Sequence, residues 1–181
     1  STQTPYMDRD EVAQVLGIAP DQVRIIPSAV GGGFGGKLDC SVQPLLAVAA
    51  WILEKPIRCT FTRPESLASS TKRHPAKMKA SASCDKDGSL TSLSFEGDFN
   101  TGAYASWGPT VADRVPIHCS GPYFVPNILA KTRALLTNGP PSGAFRGFGV
   151  PQSAIAHEAL MDSLAEQTGI DSLEFRLKNA L

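Results

Sequence analysis

The stretch Val30-Gly31-Gly32-Gly33-Phe34-Gly35-Gly36-Lys37 constrains this chain more than any other. Five glycines in six positions suit neither a regular strand nor a helix, because each adds backbone entropy that folding must remove. Such a run persists where the main chain turns sharply or approaches something too closely to tolerate a Cβ. Val23–Val30 before it reads as a strand and Leu38–Leu53 after it as a helix. Strand, glycine turn and helix N-terminus together would present free N–H donors and a positive dipole end to an anion. The expectation is therefore a cradle for a cofactor or a phosphate, set against the alternative of a glycine-rich connection without a ligand.

Two known cradles nearly fit. Gly31-x-Gly33-x-x-Gly36 satisfies the dinucleotide fingerprint, and Gly31-x-x-x-x-Gly36-Lys37 satisfies most of a P-loop. The P-loop fails at Leu38, where a Ser or Thr hydroxyl is needed for Mg²⁺. The dinucleotide reading wants an acid at a strand end about 20 residues on; the only nearby acid, Glu54, lies at a helix end. A nucleotide-binding domain centred on Gly31–Lys37 thus stays an alternative, as does a non-catalytic structural piece that binds no cofactor.

The 17 basic and 17 acidic residues cancel, so no charge excess points to nucleic acid or a membrane surface. No apolar run approaches the roughly 20 residues needed to span a bilayer. Cys40, Cys59, Cys84 and Cys119 are widely spaced with no C-x-x-C pair, and His74, His118 and His157 show no ligand spacing. No metal-ligand set is expected from these side chains. Buried free thiols in a reduced, cytoplasmic protein are the expectation.

The rest of the chain reads as an α+β fold, a mixed or antiparallel sheet with flanking helices. Asp8–Leu16 reads as a short helix stopped by Gly17, and Ile57–Thr62 as a strand. Pro64 to Pro75 reads as a loop. Ala76–Cys84 and Ser89–Phe99 flank the turn Asp85-Lys86-Asp87-Gly88 as a hairpin, with Met78, Ala80, Ala82 and Cys84 on its buried face. Asn100–Pro122 is long for a structureless connection and is expected to be functional or to hold a short helix. Ile128–Leu136 reads as a further strand. From Pro151 a helix places Ile155, Ala159, Leu160 and Leu164 on one face and ends at Gly169, and Asp171 caps a last helix through Lys178.

Pro140–Gln152 is a second loop of interest. Arg146 stands among glycines, flanked by Phe145 and Phe148. A planar guanidinium suits a phosphate or carboxylate, and an exposed aromatic gives a flat wall for a planar substrate. A structural salt bridge for Arg146, with both phenylalanines in the core, is the plainer alternative.

Gly31–Lys37, Pro122-Tyr123-Phe124-Val125-Pro126-Asn127 and Ala144-Phe145-Arg146-Gly147-Phe148-Gly149-x-Pro151-Gln152 occur in that order. The combination resembles the molybdenum-binding subunit of the xanthine dehydrogenase/aldehyde oxidase family. Ser1-Thr2-Gln3 and Glu174–Asn179 extend the resemblance to essentially the whole chain. It implies that residues 1–181 are a partial molybdopterin-binding domain of a larger molybdenum hydroxylase. Gly32, Gly33, Phe34 and Gly35 would line a molybdenum–molybdopterin cofactor, in plain or dinucleotide form, and Arg146 would reach its pterin and phosphate. Phe148 would stack on the substrate ring, and Arg114 would bind substrate and stabilise developing negative charge.

Leu38 stands where xanthine-oxidising relatives commonly carry Glu. That departure disfavours xanthine and admits aldehydes or other N-heterocycles. The family's catalytic glutamate, its iron–sulfur clusters and its FAD are expected on the rest of the molybdenum subunit and on partner domains or subunits. The 181 residues are therefore expected to be inactive alone.

Overall fold

The computed structural model describes residues 1–181. The hairpin forms as its pattern predicts: β1 (Ala76–Cys84) pairs antiparallel with β2 (Leu90–Gly102) across the Asp85–Gly88 turn. β3 (Asn127–Leu136) then pairs parallel to β2, giving the order β1-β2-β3. Two parallel neighbours cannot be joined by a tight turn. The chain crosses between them through α4 (Gly108–His118), the short helix expected in the long connection.

The sheet has two unlike faces, as strand alternation requires. On one, Lys77 pairs with Asp98 and Asp98 with Arg133, while Lys79 pairs with Glu96 and Glu96 with Lys131. These cross-strand charges make a solvated face, tightened by two hydrogen bonds from Arg133 to the Asp98 carboxylate at 2.7 and 3.0 Å. On the other, Leu93, Phe95 and Phe99 are buried against α4, α5 (Val150–Thr168) and α6 (Ser172–Asn179), with Val115, Met161 and Phe175 from the helices. Met78, Ala80, Ala82 and Cys84 of β1 line this same face, as expected.

α6 begins on Asp171, whose carboxylate accepts from the N–H groups of Leu173 and Glu174, as expected. It ends on buried Asn179, whose Oδ1 accepts from the Leu90 N–H at 2.8 Å. The same side chain donates through Nδ2 to the carbonyls of Gly88 and Phe175, both at 2.9 Å.

Several expectations need correction. On α5 the buried stripe is Ser153, His157, Met161, Leu164 and Ala165, whereas Ile155 and Ala159 face outward. Met161 anchors that stripe, and small or neutral-polar neighbours pack as well as the apolar set did on paper. The stretch after Thr62 holds a helix, α3 (Arg63–Ser69), where a loop was expected. Only Cys119 is buried; Cys40 and Cys84 are half-buried and Cys59 is exposed.

The amino-terminal third is built differently. α1 (Pro5–Leu16) and a single 3₁₀ turn (Pro20–Gln22) lead to α2 (Gln43–Leu53), which packs against α1. Neither Val23–Val30 nor Ile57–Thr62 forms a strand, because neither has a neighbour to pair with. None of the eleven α2 residues is buried, although Leu45, Leu46, Val48, Trp51, Ile52 and Leu53 lie among them. The principal core lies wholly in the carboxyl-terminal two-thirds, from Leu90 to Phe175. No helix is long and apolar enough to cross a membrane.

Two outcomes follow for stability. Phe99→Ala, at a fully buried ring, should cost about 3–5 kcal/mol in denaturant unfolding. Burial pulls the His157 imidazole below its ordinary value, with Glu158 opposing the shift, and burial also lowers His74. The unfolded chain then takes up these protons first, so stability should fall as pH drops below about 6.5, by up to about 1.4 kcal/mol per pH unit for each histidine. Thermal melts across that range should show it, and His157→Gln should flatten the slope.

Candidate functional site

The glycine run and the arginine loop, distant in sequence, meet main chain to main chain. Gly35 has φ +88°, and a Cβ there would lie 2.7 Å from the carbonyl carbon of Ala144. Only glycine permits this approach. At the far end of the arginine loop, Gly149 (φ +90°) starts α5 and leaves a Cβ no room, with Val115 Cγ2 at 2.7 Å and the Val111 carbonyl oxygen at 2.9 Å. The loop is thereby pressed onto α4.

The contact brings the expected residues together. The Arg146 guanidinium lies 5.6 Å from the Phe34 ring centroid, and that of Arg114 lies 5.8 Å from the Phe148 centroid. Trp107 meets Phe148 edge-on at 6.2 Å. Phe148 and Arg146 stand on one turn, closed by the Phe148 N–H donating to the Phe145 carbonyl at 2.8 Å. Phe34 (φ 53°) and Phe148 (φ 47°) are two of the four non-glycine residues in the left-handed region. Such strain costs on the order of 1–3 kcal/mol per residue and clusters where surroundings over-determine the backbone.

The N–H groups of Gly31, Gly32, Gly33 and Phe34 make no hydrogen bond within the chain. Gly31, Gly32 and Phe34 are exposed, as are Arg114 and Arg146. The row of free donors ends at Phe34, whose ring Arg146 faces; free main-chain N–H groups and a guanidinium are both groups that suit anionic oxygen atoms. No group of three or more His, Cys, Asp or Glu that could hold a metal ion converges in the chain.

Gly35 differs from the other three expected cofactor residues: its N–H donates to Gln3 Oε1 at 3.0 Å, and the Lys37 N–H donates to the same oxygen at 3.2 Å. The helix expected at Leu38 begins only at Gln43, so its dipole does not open onto the glycines as a P-loop or dinucleotide turn requires. Leu38 is half-buried, its carbonyl accepting from Thr4 Oγ1 at 2.9 Å, and takes no part in the aromatic–cation contacts. A hollow of about 570 Å³ is lined by Gly36, Lys37, Asp39, Tyr104 and Ser106 among others, and by none of Phe34, Arg114, Arg146 or Phe148.

Three residues support the site: Gln3 and Gln152 stand in the quoted motifs with no role assigned to them, and Arg73 stands in none. Gln3 splints the glycine run. Arg73 donates to the Arg146 carbonyl at 2.7 Å and to Gln152 Oε1 at 3.2 Å, and its guanidinium sits 4.5 Å from the Phe145 centroid. Gln152 in turn donates to the His74 carbonyl at 3.1 Å. Arg73 and Gln152 thus hold the arginine loop by its main chain, a role no spacing rule signals.

A profile of the molybdopterin cofactor-binding domain matches residues 1–180. The nicotinate dehydrogenase large molybdopterin subunit of Eubacterium barkeri is 47% identical over 180 residues, 99% of this chain and 42% of that protein. Aldehyde oxidoreductase from Desulfovibrio gigas superposes with a TM-score of 0.91 at 34% identity, covering 96% of this chain and 19% of the other. Quinoline 2-oxidoreductase from Pseudomonas putida 86 gives 0.90 at 30% identity, covering 99% and 23%. The chain therefore spans less than half the length of these relatives.

Gly35→Ala should destabilise the chain by about 1–3 kcal/mol through its positive φ and the contact at Ala144. Denaturant unfolding beside Gly36→Ala, where a Cβ meets only the Gly33 carbonyl oxygen at 3.5 Å, should separate this effect from a general loss of glycine.

Proposed function

The chain belongs to the molybdopterin cofactor-binding domain family, and on that footing we propose that residues 1–181 are part of the molybdopterin domain of a larger molybdenum hydroxylase. This oxidoreductase hydroxylates an N-heterocycle or an aldehyde with oxygen taken from water. The observation that carries the reading is the row of unpaired N–H groups from Gly31 to Phe34, ending at the residue whose ring faces Arg146.

When bound, a molybdenum–pterin cofactor supplies the redox chemistry, and the protein supplies binding, orientation and charge. Gly32, Gly33 and Phe34 offer main-chain donors to the cofactor's oxygen and nitrogen atoms. Gly35 contributes close packing, since its own N–H is held by Gln3. Arg146 offers a planar fork to phosphate or to a polar edge of the pterin.

Phe148 gives a planar substrate a flat surface, held in place by Trp107. Arg114, over the same ring, is a fixed cation beside the substrate. Where charge develops on the reacting ring, such a cation is worth a few kcal/mol once water is excluded. That exclusion falls to the rest of the subunit, because Arg114 is exposed in this chain.

Leu38 offers no carboxylate to a purine, so xanthine is disfavoured and nicotinate-like or quinoline-like rings, or aldehydes, fit better. Similarity to the nicotinate and quinoline enzymes supports the ring class. A general base, iron–sulfur clusters and FAD are assigned to the remainder of the subunit and to partner domains or subunits, and the 181 residues are inactive without them.

In the intact subunit, Arg146→Ala should lower molybdenum and pterin content or activity by roughly 10- to 1000-fold. Unchanged cofactor content and unchanged activity would overturn the assignment. Arg114→Met should instead lower kcat with cofactor content unchanged, read by steady-state kinetics and metal analysis.

A further inference from the structure

Two segments of this chain carry the pattern of strands and have no strand to pair with. Val23 and Ile25 are half-buried around exposed Arg24, and Ile57 and Phe61 are half-buried at either end of exposed Arg58, Cys59 and Thr60. The first is the alternation of a strand with one covered face; the second keeps a strand's sequence pattern with only its ends covered. Yet no N–H from Arg24 to Val30, and none from Ile57 to Phe61, makes a hydrogen bond. Unpaired main chain of this kind is costly once it is buried.

The two segments flank α2, so strand, helix and strand follow in the order of a βαβ unit, whose strands run parallel. Neighbouring strands of such a unit would bond to each other, and these do not. Both segments line a hollow of about 390 Å³, Ile25, Ile26 and Pro27 from the first and Cys59 and Phe61 from the second, closed by Val42 and Gln43 at α2 and by polar residues of the amino terminus, Asp8 among them.

We infer that one extended strand from the rest of the larger subunit lies in this groove and hydrogen-bonds on its two edges to Val23–Val30 and to residues 57–61, short of Thr62, whose main chain caps α3. It converts the amino-terminal third into a three-stranded layer backed by α2. The occupant is an alternating segment with apolar side chains toward the helix. Recognition is by main-chain pairing.

The rest of the subunit is favoured over a second copy by length. The chain spans 42% of the nicotinate dehydrogenase subunit and 19% of the aldehyde oxidoreductase, so most of each relative lies outside the matched region. The inference rests on the reading of this chain as part of such a subunit. The strand also bears on the site: Val30 leads directly into Gly31, so pairing Val23–Val30 fixes the entry to the row of free donors.

The test is amide hydrogen exchange on the intact subunit, with the β1–β2 hairpin as internal reference. Amides of Arg24–Val30 and Ile57–Phe61 should exchange within about tenfold of those in β2, as cooperative strands do. Exchange at the rate of unstructured peptide would overturn the inference. Protection that disappears on dilution as a dimer dissociates would overturn it in favour of a second copy. Molybdenum and pterin content, measured on the same sample, separates this inference from the function. Bound cofactor with unprotected segments sinks the strand alone; protected segments without cofactor affinity sink the enzyme reading alone.

Discussion

The contact between Gly35 and the Ala144 carbonyl is the constraint on which the candidate site depends. A Cβ on the first residue would separate the glycine run from the arginine loop. Phe34 would then lose Arg146, and the free donors would no longer share a surface with a guanidinium. Splints on either side keep the approach in place, Gln3 through two main-chain N–H groups and Arg73 through the Arg146 carbonyl. The loops are held by polar contacts to backbone, so the outward-facing side chains stay available for chemistry.

Much of this was legible in the residues, wherever a local rule and the tertiary outcome agree. The Asp85–Gly88 turn, the alternation of β1, the Asp171 cap and the helix in the long connection all follow from short-range patterns. α3 was legible too and was overlooked. Thr62-Arg63-Pro64-Glu65 is a capping box, with the Thr62 N–H donating to Glu65 Oε2 at 2.7 Å and proline inside the first turn. The strands expected on either side of α2 and absent from the fold teach the opposite lesson: a strand's pattern is there, but a strand exists only beside another strand.

At the site, pattern singled out Arg146 and Phe148 and the family resemblance added Phe34 and Arg114, and the fold joins the four in two aromatic–cation pairs. It could not reveal that both phenylalanines adopt left-handed backbone, a conformation the residue type disfavours and the packing imposes. Nor could it assign a role to Gln3, Arg73 or Gln152, whose importance lies in partners 32 to 79 residues away.

Asn179 carries a consequence for how this domain can vary. One amide reads both ends of the β1–β2 connection and the last turn of α6 at once, accepting at Leu90 and donating to Gly88 and Phe175. An inserted residue in the connection would shift the two hairpin groups out of step with a helix that cannot follow. The short loop, outwardly the freest part of the sheet, is therefore gauged to a side chain some 90 positions later. Insertions that this architecture tolerates should gather elsewhere on its surface.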